Sequence, residues 1–386
     1  MVWLDAFSDK YLSPRLCPFM WSVSKIWFFA KISPLFAYTG IKNCFNTGIS
    51  INTLKIWNDH AFNGLDVSNG ARITLFKKLL HFIDRISPND EANKILRYLM
   101  FKIKRVEYGV PHLIPVCLID LFPHVEPKKT YKQVSLYEVL REQGIKFVEK
   151  MPKLNITESV ILRRIPRLLK RYDALFIKLN SLDRLGHKYG PSSDIVKRRV
   201  RCLDELLRHM VKALDKDATL IVMSDHGMVP VMHTIDLIDF LKHKEFKFGH
   251  HYVGFIGATY ASFWFKQEEY RNAVKKELSA LGVGRFLTFN DKLKLGIDGI
   301  GKEYGEEIFA IKEHYVCFPE FYHWRRPPKG MHGYAFSKWD MPIFLMHSDL
   351  AITQRKNKIE FIDIMPTIFQ LLDLPVPSYV EGQSLI

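Results

Sequence analysis

The chain has 386 residues, 47% of them hydrophobic and 25% charged, a balance that excludes a disordered or low-complexity protein. Its 56 Lys and Arg against 41 Asp and Glu leave a formal charge of +15. That charge favours anionic partners without choosing among phosphorylated metabolites, lipid headgroups and nucleic acid. The five cysteines (Cys17, Cys44, Cys117, Cys202 and Cys317) are scattered, odd in number and without CxxC spacing. Neither a disulfide framework nor a structural zinc knuckle is expected, and a reduced, cytoplasmic setting fits best.

In chain order, the opening "MVWLDAF" lacks the basic and apolar regions of a signal peptide and reads as a short strand, Val2–Leu4, ending at Asp5. The apolar stretch 18–41 is broken by Lys25, Lys31 and Pro34, so it reads as a core helix followed by a loop, and no transmembrane span is predicted. Residues 66–110 look helical and basic, either a solvated face or a lid or surface for acidic lipid or polymer. The second option leaves room for peripheral membrane contact. Ala174–Leu179 ("ALFIKL"), 219–223 ("TLIVM") and 341–346 ("MPIFLM") are near-continuous apolar runs, as in strands covered on both faces. Residues 193–214 carry an apolar stripe of helical period. Residues 246–330 form a second excursion, with "YASFWF" and a helix near 268–281.

This alternation predicts an α/β fold: a mostly parallel sheet with helices on both faces, plus a helical and a small α+β insertion. The core takes 1–65, 111–245 and 331–386; the insertions are 66–110 and 246–330.

Functional residues of such a fold gather at the carboxyl ends of strands. Asp183 and His187 in "LDRLGHKYGPS" stand four apart around Gly186, a spacing that serves one helix face or a strand-end loop equally. Asp225 and His226 in "SDHGM" are adjacent and converge only if the chain turns, which Gly227 permits. His332 lies in "KGMHGYAF" and Asp5 ends the first strand. Imidazole and carboxylate donors suit zinc or manganese, and the set could supply two cations. Each alone has a plainer reading, as a loop histidine or a turn or capping aspartate.

Taken together, the blocks resemble the type I phosphodiesterase/nucleotide pyrophosphatase branch of the alkaline phosphatase superfamily. Residues 182–207 are similar to its D-x-x-G-H-x-Y-G-P-x-S signature and following helix, and "SDHGM", "MHGY" and 359–385 resemble later blocks in the expected order. The resemblance runs from "VWLDAF" to the last residues and is weakest across 66–110. It implies an alkaline-phosphatase-like core. It also implies one cation on Asp5, Asp225 and His226, and another on Asp183, His187 and His332. The matching nucleophile is Thr39, in a loop before a helix, where a simple helix cap is the plainer reading. Asn58 occupies the place of an asparagine that donates to a phosphoryl oxygen.

Lys42 lies close to the proposed nucleophile and could neutralise phosphate charge; Arg325 and Arg326 precede His332 and could bind an anionic leaving group. The expected function is therefore a two-metal phosphohydrolase that cleaves a phosphodiester or pyrophosphate through a phospho-threonine. Zinc is the first candidate and manganese the second. The substrate would be an anionic phosphorylated small molecule or a glycan or lipid phosphate. Alternatives are a phosphoryl-group transferase or phosphonate hydrolase acting on a glycan, lipid or nucleotide-sugar, and a catalytically inactive binding protein of the same fold. Sulfatase action is disfavoured because Cys17-Pro18-Phe19 does not supply that nucleophile motif, and no nucleic-acid recognition module is visible. Oligomeric state is left open.

Overall fold

The apolar runs that end in polar residues form the middle of one sheet in the computed structural model. It describes residues 1–38, 40–58, 61–62, 134–150, 158–215, 217–323, 325–339, 341–347 and 357–386. The chain divides into two units. One comprises Met1–Leu54, Lys128–Met232 and Pro328–Ile386, the other Lys55–Pro127 and His233–Pro327. The basic insertion at 66–110 lies outside the described residues.

The first unit is built on seven strands: β1 (Val2–Leu4), β2 (Phe28–Ile32), β3 (Phe147–Lys150), β4 (Ala174–Leu179), β5 (Leu220–Met223), β6 (Ile343–His347) and β7 (Lys358–Ile359). Their order is β7-β2-β6-β5-β1-β4-β3. β1 pairs in parallel with both β4 and β5, β3 with β4, and β7 with β2, whereas β6 runs antiparallel to its neighbours β5 and β2. β2 stands where the sequence suggested a loop after a helix. Its residues "FFAKI" alternate between buried and half-buried, as a strand in a covered sheet does.

Six helices carry most of the covering: α1 (Pro18–Val23), α2 (Ile41–Thr47), α3 (Glu158–Leu169), α4 (Ser181–Tyr189), α5 (Asp194–Lys212) and α6 (Ile364–Leu371). α5 starts where Ser193 caps it, its hydroxyl accepting the Val196 N–H, and it buries Val196, Val200, Leu203, Leu207 and Met210. These pack with Ile161, Leu162 and Ile165 of α3 against Val2, Leu4, Leu175, Ile177 and Leu179. The pleat turns the intervening Trp3 to the opposite face, where its ring meets Phe45 of α2 edge-on at 5.3 Å. Lys178 is the register partner of Trp3, so it shares that second face.

A buried polar knot fixes where α4 begins. The Glu158 carboxylate accepts the Ser181 N–H at 2.8 Å and also takes the Ser181 hydroxyl and the Arg199 guanidinium. Removing one partner of a buried ion pair leaves the other charge without compensation. Glu158→Ala is therefore expected to cost about 3 kcal/mol of stability. A urea midpoint unchanged from wild type would refute that role.

The second unit holds a four-stranded antiparallel sheet of Gly284–Phe286, Glu307–Ile311, Tyr260–Phe265 and Tyr252–Ile256, in that order, with the helix Glu268–Ala280. Its buried Glu307 is neutralised by Arg271 at 2.5 Å and Lys275 at 2.8 Å. Among the described residues no helix is long and apolar enough to cross a membrane.

Candidate metal centre

Because β4, β1 and β5 are adjacent and parallel, their carboxyl ends share one edge, and each delivers a candidate donor there. Asp5 follows β1 directly. The chain then turns at Ala6 (φ 64°), which brings the Ala6 N–H onto Asp225 Oδ1 at 3.2 Å. Ser224, fully buried after β5, donates to the Phe7 carbonyl at 2.7 Å and accepts the Ile343 N–H at 2.9 Å. These contacts tie the loops after β1 and β5 to the start of β6 and set the convergence of Asp5, Asp225 and His226.

Asp183 and His187 sit on α4, so their four-residue spacing is a helical one and both point to one face. Gly186 between them leaves room for Met228: a Cβ there would lie 2.2 Å from the Met228 sulfur, so that side chain would have to move. His332 is brought in by the two-residue strand Gly330–Met331, which pairs antiparallel with Val229–Pro230 just beyond His226. The Lys329 N–H donates to the His187 carbonyl at 2.8 Å, fastening that segment to α4.

Six side chains thus gather in two clusters. His226 Nε2 is 3.3 Å from Asp5 Oδ1 and 3.8 Å from Asp225 Oδ1. Asp183 Oδ1 lies 3.0 Å from His187 Nε2 and 3.4 Å from His332 Nε2, and the two imidazole nitrogens are 3.2 Å apart. The rings of His226 and His332 stack at 3.6 Å, joining the clusters, and the donor atoms of Asp183, His226 and His332 also fall within 4.8 Å of one another. His226 is therefore within reach of both groups.

The donor chemistry fits divalent cations. His187 donates its Nδ1–H to the Gly330 carbonyl at 2.8 Å, and His226 donates its Nδ1–H to the Gly227 carbonyl at 2.9 Å. A neutral ring fixed this way carries a lone pair on Nε2, and both Nε2 atoms face carboxylate oxygens. Facing lone pairs require a cation or a proton between them.

The charges point the same way. His332 is pushed down to about 3, by burial and by His226 beside it, so its ring stays an uncharged base. Asp183 is held well below the usual carboxylate range. Burial opposes this, but His187 and His332 outweigh it. Asp5 is raised by burial and by the Asp225 charge. Asp225 is held low by His226 and Lys178 despite its burial.

Other expected site residues fall elsewhere. Thr39 lies outside the described residues; Gly40 follows it with φ 76° and α2 begins at Ile41. Lys42 is exposed on the first turn of α2. Asn58, Arg325 and Arg326 belong to the second unit. There Asn58 is buried and its amide donates to the Tyr260 hydroxyl, while both arginines are exposed. The residue that sequence reasoning missed is Lys178, whose Nζ is 3.0 Å from Asp5 Oδ2 and 3.0 Å from Asp225 Oδ2. Burial lowers its affinity for a proton, but the two carboxylates more than reverse this and hold it above an ordinary lysine. A lysine inside the otherwise apolar "ALFIKL" was the available signal.

Comparison with known proteins places the chain in a family. Residues 105–304 match the family model described as type I phosphodiesterase/nucleotide pyrophosphatase. Murine ectonucleotide pyrophosphatase/phosphodiesterase 5 superposes with a TM-score of 0.65 over 97% of this chain and 95% of its own, at 16% identity; the human protein covers 99% and 96% with a TM-score of 0.64. At that identity the likeness is one of fold. Shorter matches occur to GPI ethanolamine phosphate transferase 3 of Eremothecium gossypii and GPI ethanolamine phosphate transferase 2 of Candida glabrata. The first is 38% identical over 63 residues, 16% of this chain; the second is 28% identical over 111 residues, 28% of this chain. The matched stretches amount to 6% and 13% of those proteins' lengths. With over half its length matched by the family model and its core superposing on an alkaline-phosphatase-like fold, the chain belongs to the type I phosphodiesterase/nucleotide pyrophosphatase family.

Proposed function

We propose that the chain is a two-cation phosphohydrolase that opens a phosphodiester or pyrophosphate bond, with Thr39 as nucleophile. One observation carries the reading: two contiguous carboxylate and imidazole clusters stand at the ends of three adjacent parallel strands. Asp5, Asp225 and His226 would hold one cation, and Asp183, His187 and His332 the other. Bound there, divalent ions (zinc first for these donors, manganese second) would supply Lewis acidity to a phosphoryl group. The Thr39 hydroxyl attacks phosphorus, the bond to the leaving oxygen breaks, and a phospho-threonine results. Attack on that ester by water or by an acceptor hydroxyl returns the threonine. Lys42, exposed on the first turn of α2 in the same unit as the clusters, is the candidate for neutralising phosphate charge.

The choice between water and an acceptor separates two readings. The matched stretches of GPI ethanolamine phosphate transferases favour, as the second reading, transfer of a phosphoryl-linked group to a glycan or lipid alcohol. Zinc-loaded protein and an aryl phosphodiester, with and without an acceptor alcohol, distinguish them. Hydrolysis yields the free monoester at a rate indifferent to acceptor. Transfer yields a new diester on the acceptor and faster aryl release. Protein that binds cations and releases no aryl alcohol under either condition would sink both readings and leave a binding protein.

A further inference from the structure

Lys178 has no place in the six-donor scheme, yet it is built into the centre. Its strand β4 lies beside β1, in register with Trp3, and its ammonium sits 4.8 Å from the Trp3 ring centroid under the indole face. The side chain is only 23% exposed. Nζ lies equally, 3.0 Å, from Asp5 Oδ2 and Asp225 Oδ2. The two carboxylates are thereby divided. Their Oδ1 atoms face His226 Nε2, their Oδ2 atoms face the lysine, and Asp225 Oδ1 additionally accepts the N–H groups of Ala6 and His226.

The consequence is electrostatic. A position with two carboxylates would ordinarily outbid one with a single carboxylate for a divalent cation. Here the ammonium cancels one of those charges, so Asp5, Asp225 and Lys178 together carry the same net charge as Asp183 with its two neutral rings. A fixed positive charge in contact with both carboxylates also repels any cation that joins them and draws electron density from the oxygens that would bind it. The other cluster has no such opponent among the described residues, and it offers two imidazoles to one carboxylate, the softer donor set. We propose that Lys178 is a resident counter-cation that holds the Asp5 and Asp225 carboxylates together without metal and makes their cation position the weaker, later-filled one. Lys178 is on this account a positioning residue that acts through the two aspartates.

The inference rests on the two-cation reading, and the test keeps the two separable. Full-length protein is stripped with a chelator, checked for native circular dichroism, and titrated with zinc against a chromophoric zinc chelator. Wild type should show two dissociation constants, and Asp183→Asn should remove the tighter. Lys178→Met should tighten the weaker by about tenfold or more and leave the tighter unchanged. Lys178→Arg, which keeps the charge, should restore the wild-type pattern. As an independent readout, zinc should raise the melting temperature of Lys178→Met more than that of wild type, since the metal-free variant leaves two carboxylates facing each other. Unchanged constants in Lys178→Met, or a weakened second site, would overturn the role of Lys178 while leaving two-cation binding intact. Failure of both wild type and Lys178→Met to take up zinc would instead remove the two-cation reading and this inference with it.

Discussion

Thr39→Ala is expected to lower kcat on an aryl phosphodiester by roughly 10⁴-fold or more, with the zinc content and melting temperature of wild type retained. The size follows from the role: a nucleophile has no substitute on the same pathway, and water attacking directly lacks the proximity that a tethered hydroxyl enjoys. The specificity of the prediction lies in what stays constant. None of the six gathered donors is Thr39, and the contacts that bring them together run through Ala6, Ser224, Gly330 and the Gly227 carbonyl. Cation uptake should therefore not depend on the Thr39 hydroxyl. Thr39→Ser, which keeps the hydroxyl, should recover most of the rate. Retention of more than a tenth of wild-type kcat by Thr39→Ala would remove it as the nucleophile, whatever the metal content.

The fold was legible wherever one apolar run had one outcome. The stretches "ALFIKL" and "TLIVM" suit covered strands, and the apolar stripe within 193–214 suits an amphipathic helix; strands and helix are found there. The same reasoning could not tell that β6 would run antiparallel. A strand buried on both faces has the same composition in either direction. At the centre, the Asp183/His187 pair left helix and loop equally open, and the deciding fact is tertiary: α4 begins where Glu158 holds Ser181. The convergence of Asp225 with Asp5 depends on a left-handed Ala6 and a buried Ser224, two small residues with no signal of their own in the chain. Lys178 did leave a signal. A charged residue inside a run otherwise free of charge costs desolvation and calls for a partner. The apolar period absorbed that position because one lysine in six residues still reads as a strand.

Asp225→Asn is expected to remove one equivalent of zinc and to lower kcat by about 10³-fold, the rate equivalent of losing several kcal/mol of charge stabilisation at the phosphoryl group. The substitution isolates charge from shape. The asparagine carbonyl can still accept the Ala6 and His226 N–H groups that Oδ1 now holds at 3.2 and 3.1 Å, so the turns after β1 and β5 keep their acceptor. On the other side the new amide N–H₂ faces the Lys178 ammonium where Oδ2 stood at 3.0 Å, and two donors meet. Lys178 keeps Asp5 as its partner, so the loss of stability should stay near about 1–3 kcal/mol and the protein should fold. The cation position is affected more than the fold. Asp5 and Lys178 then cancel, leaving His226 with no net negative charge beside it. Asp225→Ala should be the less stable of the two, because both backbone N–H groups lose their acceptor inside the protein. An Asp225→Asn protein that retains two equivalents of zinc, or works within about tenfold of wild type, would show that Asp225 serves the turns and Lys178 rather than a cation.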